Sequence, residues 1–169
     1  EVRSVTEDCA LAFLRSFGRR AYRRPLTNTE EARWLSVAAT ESDPWAGMQL
    51  AVAGMLQSPW VVYRTELGTP DVARPELHRL DDHELAARLA FVLWNRGPDD
   101  ALLDAADAGR LSTQAGLSAE VDRMLDDPRV REATEVFFEQ YLDLARFDRA
   151  EPDPVTFPGW NANLRSAMR

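Results

Sequence analysis

The sequence predicts an all-α fold, with about seven to eight short helices in a compact bundle or in two sub-bundles that share one core. Three observations lead to this prediction. Helix-start patterns recur along the 169 residues, either a Ser, Thr or Asp three residues before Glu or a Ser or Asp directly before Pro. Apolar residues between these starts repeat at intervals of three and four, which places them on one helix face. No segment shows the two-residue alternation of a half-buried strand convincingly.

The first part of the chain is predicted to contain three helices and a short fourth one. The first helix carries its apolar residues on one face and ends at Pro25, because proline cannot continue a helix. In the third helix Met48, Val52 and Met55 repeat at the same helical spacing. The start signals, in chain order, are Ser4 with Glu7, Thr27 with Glu30, Asp43 with Pro44, and Ser58 with Pro59.

The later part of the chain is predicted to form the remaining helices. The helix that begins after Asp81 is apolar nearly all round and is therefore expected at the centre of the core. A helix that opens at Asp127-Pro128 is expected to be the longest, running to about residue 147. Its expected inner stripe is Val130, Ala133, Phe137, Tyr141 and Leu144. The other start signals are Asp81 with Glu84, Asp99-Asp100, Ser112 and Asn161.

One segment separates these two groups of helices. Residues 68–77 contain two prolines and no apolar period, which is typical of a linker. The sequence therefore predicts an N-terminal helical part at 1–67 and a C-terminal helical part at 78–169, joined by the linker 68–77.

Composition excludes several classes of chemistry. The chain has a net charge of −8, and all twenty of its basic residues are arginine, because it contains neither lysine nor isoleucine. This usage indicates a high-GC genome, and it rules out a Schiff-base lysine. Cys9 is the single cysteine, so this chain cannot form an internal disulfide, a cysteine zinc site or a CxxCH haem attachment. The longest apolar stretch, residues 85–94, is far shorter than the ~20 residues of a membrane span.

Four arginines at 19–24 are conspicuous in such an acidic chain. A nucleic-acid surface would need a wider basic field, and the negative net charge repels phosphate at long range. A structural role is favoured over an anion or partner site, because cations stabilise the C-terminal end of a helix. Arg20 and Arg24 flank the apolar stripe and can reach carboxylates on neighbouring helices. The candidate partners are Glu30, Glu31, Glu66 and Glu84.

The histidines and paired acids do not define a site, so no catalytic, cofactor-binding or metal-ligating residue is assigned. His78 and His83 are five apart and do not share a helix face, as a metal pair would. Acids around His83 allow a carboxylate metal site, but capping explains them better. The pairs Asp99-Asp100 and Asp126-Asp127 lie at helix starts, where acids favour the helix dipole, although paired acids could also serve hydrolysis.

Three further side-chain groups have a structural interpretation. A reactive cysteine needs a nearby His or a positive helix end, and Cys9 does lie near the start of the first helix. A plain or partner-contacting thiol is nevertheless favoured over a nucleophile. Glu84 and Arg88 have the favourable i, i+4 order and are expected to form a partly buried pair. The tryptophans could line a ligand groove, but their helical positions favour packing. These tryptophans are Trp45, Trp60, Trp94 and Trp160.

Several motifs in a fixed order resemble a pair of known families. Together they resemble the paired domains of unknown function numbered 1595, for the first part, and 1592, for the rest. The motifs are "FGRRAYRRPLTNTEE", "MLQSPWVVYRTELG", "LDDHELAARLAFVLWNRGPDDALLDAADAGRL", "VDRMLDDPRVREATEVFFEQYLDL" and "FPGWNANLRSAMR". The resemblance covers nearly the whole chain, and several motifs in order are more specific than any one alone.

The resemblance implies a context rather than a reaction. Such domains occur in large secreted or envelope proteins of planctomycetes and myxobacteria, often beside c-type cytochrome modules. It implies a periplasmic or extracellular location, and partners among the remaining domains of the same protein and a c-type cytochrome. The expected function is a non-catalytic scaffold or partner-recognition module without a cofactor of its own. The alternative is part of an enzyme whose active site is completed by further C-terminal domains, with Glu84, Asp99 and Asp100 facing them.

Overall fold

The structure, a computed structural model, describes residues 6–168, apart from the side chains of Phe147 and Asp148. Helices dominate these residues, which confirms the all-α prediction. The N-terminal helices are α1 (Glu7–Tyr22), α2 (Asn28–Ala38), α3 (Pro44–Leu56) and α4 (Pro59–Val62). The later helices are α5 (Asp82–Trp94), α6 (Asp100–Asp107), α7 (Gln114–Leu125), α8 (Arg129–Tyr141), α9 (Ala145–Asp148) and α10 (Ala162–Ala167).

A minimal sheet involves the segment 68–77 that the sequence predicts as a linker: its first strand lies inside this segment and its second begins directly after it. Strands β1 (Thr69–Pro70) and β2 (His78–Arg79) pair antiparallel, with Thr69 opposite Arg79. Gly68 precedes β1 with φ of 58°, a left-handed conformation that glycine adopts without strain. The segment is therefore folded back on itself as a short hairpin rather than extended between the two groups of helices.

Most helix starts form at the predicted residues. The Thr27 hydroxyl accepts the Glu30 amide, and the Glu30 carboxylate accepts the Thr27 amide, which completes a capping box. Asp81 and Glu84 form a second box in the same way. The predicted Ser4 cap lies outside the described residues, and Thr6 caps α1.

Two predicted boundaries are wrong. Thr113, not Ser112, caps α7, because the Ser112 hydroxyl donates instead to the Gly109 carbonyl at 2.9 Å. The helix that opens at Asp127 ends at Tyr141 rather than near residue 147. Asp143 has φ of 50°, so the chain turns there before the short α9. The longest predicted helix is therefore interrupted by a left-handed residue that the pattern of apolar residues does not reveal.

The buried apolar side chains form two clusters instead of the single shared core that the sequence predicts. The N-terminal core consists of Ala10, Leu14, Tyr22, Leu26, Trp34, Met48, Ala51 and Met55. The C-terminal core consists of Ala86, Ala90, Trp94, Leu102, Ala105, Ala106, Leu111 and Met124. Helix α5 belongs to the second cluster and also has a solvent face, where Val92 is 72% exposed. It is therefore not the centre of one common core.

Close approach of the first helices depends on a glycine. A Cβ on Gly47 would lie 1.9 Å from the carbonyl oxygen of Ala38, so a side chain there would force α3 away from the end of α2. No helix within residues 6–168 combines the length and the apolar character that crossing a membrane requires.

Candidate functional site

A cleft of about 250 Å³ lies where the N-terminal and C-terminal helices meet. We call it the inter-unit cleft. Its ionisable lining residues include His83 and Glu84 from α5, and Arg23 and Arg24, which directly follow α1. The other lining residues are Tyr22, Trp60, Thr65, Leu67, Gly68, Thr69, Asp81 and Ala87.

His83 is held by a carboxylate. Its Nε2 lies 2.8 Å from Oδ1 of Asp107 on α6. Asp107 also accepts from Arg19 at 2.6 Å. Burial raises the pKa of Asp107, but the hydrogen bonds from Arg19 and His83 together outweigh this effect. The pKa of Asp107 is therefore below its usual value. Within residues 6–168 no group of three His, Cys, Asp or Glu side chains can hold a metal ion.

Glu84 caps backbone amides instead of pairing with an arginine. Its carboxylate accepts the amides of Leu67 at 2.7 Å, Gly68 at 3.1 Å and Asp81 at 2.9 Å. Arg88 pairs with Glu66, on the segment that crosses the start of α5. The predicted Glu84–Arg88 pair is therefore wrong, because the three amides occupy the Glu84 carboxylate and a different carboxylate lies beside Arg88.

The arginine cluster at 19–24 is structural, as predicted. Arg24 forms a two-point contact with Glu30 at 2.8 and 2.9 Å. Arg15, one turn before the cluster, binds Glu31 at 2.7 Å. The hydrogen bond from Arg24 is the largest effect on the pKa of Glu30 and lowers it. Burial acts in the opposite direction but is outweighed, so this pKa is about 2. Glu30 is thus confirmed as a partner of the cluster. The other predicted partners bind elsewhere: Glu31 binds Arg15 outside the cluster, Glu66 binds Arg88, and Glu84 accepts backbone amides.

The other partners of this cluster lie far away in the sequence. Arg20 contacts Asp100 of α6 at 2.7 and 3.0 Å. Arg19 reaches Asp104 and Asp107 of the same helix at 2.6 Å each. These contacts join the helix of the N-terminal core to a helix of the C-terminal core. The signal that could have revealed them is the spacing of the three aspartates, which places them on one face of α6.

Arg23 has a different role from its neighbours. It adopts a left-handed conformation at the end of α1, with φ of 60°. Its guanidinium donates to the carbonyl oxygens of Trp60, Tyr63 and Ala21, and it has no carboxylate partner among the described residues. Burial, followed by repulsion from Arg64, lowers the pKa of Arg23. Arg23 therefore fastens α4 to the end of α1.

The remaining candidate acids also serve structure. Asp99 accepts the Leu102 amide at 2.9 Å and binds Arg123 and Arg129. Arg129 lies 3.4 Å from the ring centroid of Trp94, so the acid, the arginines and the indole form one packed group. Asp100 is engaged by Arg20 as described above. Asp99 and Asp100 thus contact arginines of this chain.

Two apolar surfaces remain open. We call the first the C-terminal apolar surface; its members are Phe137, Phe138, Tyr141, Leu142, Val155, Phe157, Leu164 and Met168. The prediction that Phe137 and Tyr141 line an inner stripe is wrong, since they are 57% and 74% exposed.

The second open apolar surface, the α1/α3 groove, has a volume of about 440 Å³ and contains exposed Cys9 and half-exposed Trp45. Trp94 packs inside, as predicted, whereas Trp45 and Trp60 line depressions.

Fold and site together define a helical protein whose acids and arginines fasten its helices to one another. Residues 80–169 match the model of the family described as PSD4, protein of unknown function (DUF1592). Residues 9–66 match the model described as PSD5, protein of unknown function (DUF1595). The first match covers more than half of the chain, so this chain belongs to the DUF1592 family. The predicted pairing of the two families is confirmed. Among curated proteins and among solved structures, no match was found.

Proposed function

We propose that this chain is a non-catalytic scaffold or partner-recognition module of a larger, cytochrome-associated envelope or extracellular protein. The observation that carries the proposal is the C-terminal apolar surface. It exposes four large side chains at the end of α8 and directly after it, Phe137, Phe138, Tyr141 and Leu142, and the Phe137 ring contacts those of Phe138 and Tyr141. The later segment to α10 exposes further apolar side chains. Clustered exposed apolar side chains of this kind mark interaction sites on soluble domains.

The engagement of the ionisable groups supports the same function. Asp81 and Glu84 cap backbone amides. Asp99 and Asp100 bind arginines. A catalytic acid or base needs a lone pair or proton directed at substrate, and these groups direct theirs at the protein.

The partner and location rest on the family resemblance. We expect the remaining domains of the same protein to cover the C-terminal apolar surface, with a c-type cytochrome as a further partner. A periplasmic or extracellular location and a high-GC planctomycete or myxobacterial source accompany this proposal. The absence of lysine and isoleucine supports the high-GC source. The acidic net charge argues against nucleic acid as a partner.

Cysteine labelling tests the proposal. In a Cys9→Ser background, Phe138→Cys places a thiol on the C-terminal apolar surface, and Val92→Cys places one on the exposed face of α5. Maleimide labelling is compared between this chain alone and the intact gene product. We expect Phe138→Cys to be protected at least tenfold in the intact product, while Val92→Cys labels at the same rate in both. Equal labelling of Phe138→Cys would contradict the proposal.

The enzyme alternative is favoured by one observation, the inter-unit cleft with His83 oriented by Asp107. This arrangement resembles a histidine held by a carboxylate for proton transfer. The test is a panel of ester, glycoside and phosphoester substrates offered to the intact gene product. Turnover lost in His83→Gln and kept in His78→Gln would support the enzyme. Turnover kept in both variants, or none at all, would count against this cleft as an active site.

A further inference from the structure

The α1/α3 groove is a nearly unbroken apolar depression on the N-terminal part. Cys9 and Phe13 form one wall, and the face of α3 from Trp45 to Leu56 forms the other. Trp45 is 50% exposed, so much of its indole faces the groove opening and solvent. Met48 forms part of the floor, and its flexible side chain adapts to different occupants.

The apolar lining of the groove favours one backbone conformation for a bound peptide. Its lining offers almost no hydrogen-bonding groups, with Gln49 as the main polar side chain. An extended peptide would leave its amides and carbonyls unsatisfied there, at a cost of ~1–3 kcal/mol each. A helix satisfies its own backbone and presents only side chains. The wall from Trp45 to Leu56 extends ~16 Å at 1.5 Å per residue, which suits about three helical turns.

The negative charge beside the groove determines which charge is favoured on the polar face of that helix. A second depression adjoins the groove and shares Ala10 and Met48 with it. Its lining residues include Glu7 and Glu41. Within residues 6–168, no arginine lines either depression. A helix in the groove would therefore meet negative charge on this side and no positive charge from the lining.

Self-association fits this surface poorly. Helix α8 has an exposed apolar face with Phe137, Phe138 and Tyr141, but on its polar side Glu132 and Glu135 already pair with Arg96 and Arg131 of the same chain. A second copy carries a net charge of −8, so it would approach Glu7 and Glu41 against net repulsion. An anionic membrane surface would be repelled for the same reason.

We infer that the α1/α3 groove binds a basic amphipathic helix of a partner protein. Apolar side chains spaced at i, i+3 or i+4, and i+7 would enter the groove, while flanking Arg or Lys would face Glu7 and Glu41. As a partner site this inference rests on the proposed recognition function, but it uses a different surface. The Phe138→Cys labelling and the test below can therefore fail separately.

The test uses a fluorescein-labelled peptide of about fourteen residues in which leucine and lysine form opposite helix faces. Its fluorescence anisotropy is measured with this chain. Two control peptides are a scrambled sequence of the same composition and an acidic version with glutamate in place of lysine. We expect the amphipathic basic peptide to bind at least tenfold more tightly than either control.

Variants locate the binding. Trp45→Ser removes one wall and should raise Kd at least tenfold; Leu56→Ser is a second wall variant if circular dichroism shows Trp45→Ser unfolded. The pair Glu7→Gln and Glu41→Gln should raise Kd about three- to tenfold and flatten its salt dependence. A matched pair, Glu76→Gln and Glu151→Gln, removes the same charge outside the groove and should change Kd less than twofold.

Several results would overturn the inference. Equal binding of the scrambled or acidic peptide would show that no basic amphipathic helix is selected, and absence of peptide binding would reject the site. Unchanged binding in both wall variants would place the peptide elsewhere. A dimer detected by sedimentation and lost in Trp45→Ser would assign the groove to a second copy. Binding to anionic vesicles lost in the same variant would assign it to a membrane.

Discussion

Helices α1 and α8 are both amphipathic, yet their apolar stripes have opposite fates. In α1 the stripe Ala10, Leu14, Gly18 and Tyr22 is buried in the N-terminal core. Helix α8 contacts α5 near its start, where Val130 packs against the C-terminal core, but no residue of α8 is fully buried. Its aromatic residues stack on each other instead, with Phe137 and Tyr141 ring centroids 5.6 Å apart.

The charged faces differ in the same way. Arg19 and Arg20 on α1, and Arg24 just after it, each have a carboxylate partner on another helix. Near the start of α8, Arg129 and Glu132 also reach Asp99 and Arg96 outside this helix, but the Arg131–Glu135 pair lies within the helix and is largely exposed. Helix α1 is therefore fixed on two sides, while α8 is fixed at its start and leaves its later apolar residues exposed. The comparison teaches that burial of a stripe depends on a second element to cover it, not on its period.

The largest expected difference concerns the two stripes. Leu14 is fully buried, so Leu14→Ala should destabilise the chain by ~2–5 kcal/mol through lost burial and the cavity left behind. Phe137→Ala on the exposed face of α8 should cost less than ~1 kcal/mol. Urea unfolding followed by circular dichroism measures both. Equal losses would show that the two stripes are equally packed.

Acid should weaken the contact between Arg24, just after α1, and Glu30. The pKa of Glu30 is about 2 when folded against 4.5 as its ordinary value, chiefly because Arg24 binds the carboxylate. Between these values the unfolded state binds more protons, so this stabilisation is present above pH 4.5 and is lost as pH falls towards 2. Allowing for solvent screening, we expect ~1–2 kcal/mol from this residue.

Urea titrations between pH 6 and pH 2 should show this loss in the parent chain and a reduced loss in Glu30→Gln. Glu135→Gln on α8 is the matched control and should retain the full pH dependence, because its pair is exposed. If Glu30→Gln left the acid profile unchanged, the Arg24–Glu30 contact would contribute nothing to stability.

Coupling between residues should also differ. A double-mutant cycle with Arg19→Ala and Asp107→Asn should give a coupling of ~1 kcal/mol, since Arg19 is mostly covered and the pair joins two helices. The same cycle on Arg131 and Glu135 should give ~0.3 kcal/mol, as for an exposed i, i+4 pair. Additive effects at Arg19 and Asp107 would argue that the contact between α1 and α6 contributes little.

Local interactions are what the sequence predicts best. The Thr27–Glu30 and Asp81–Glu84 boxes need only three residues of helix, and Arg24 finds Glu30 six residues away. Contacts such as Arg19–Asp107 join residues 88 apart, so only the packed fold brings them together. The spacing of apolar residues in α8 likewise predicts which face is apolar, but it does not predict that Phe137 and Tyr141 on that face stay exposed.

The candidate sites show the same difference between local and long-range contacts. The structural role of the arginine cluster follows from net charge and helix position alone. The inter-unit cleft and the α1/α3 groove do not, because each is lined by segments that the chain order separates. Trp45 illustrates the limit: its spacing with Met48 fits a buried helix face, yet it lies on the rim of an open groove.

The smallest expected effect concerns the ends of the two helices. Both are followed by a left-handed residue other than glycine, Arg23 after α1 and Asp143 after α8. Glycine adopts this conformation without the Cβ strain, so Asp143→Gly should stabilise the chain by about 0.5 kcal/mol. Arg23→Gly gains the same relief but loses the hydrogen bonds to Trp60 and Tyr63, so it should destabilise by ~1 kcal/mol.

Opposite signs in urea unfolding would confirm that the end of α1 is fastened by side-chain contacts while the end of α8 is not. If both substitutions stabilised the chain, the Arg23 contacts would be dispensable. If both destabilised it, Asp143 would hold the turn through its own carboxylate, which lies 3.6 Å from Arg146. Asp143→Asn separates that case, because asparagine tolerates the left-handed conformation without the charge needed to attract Arg146.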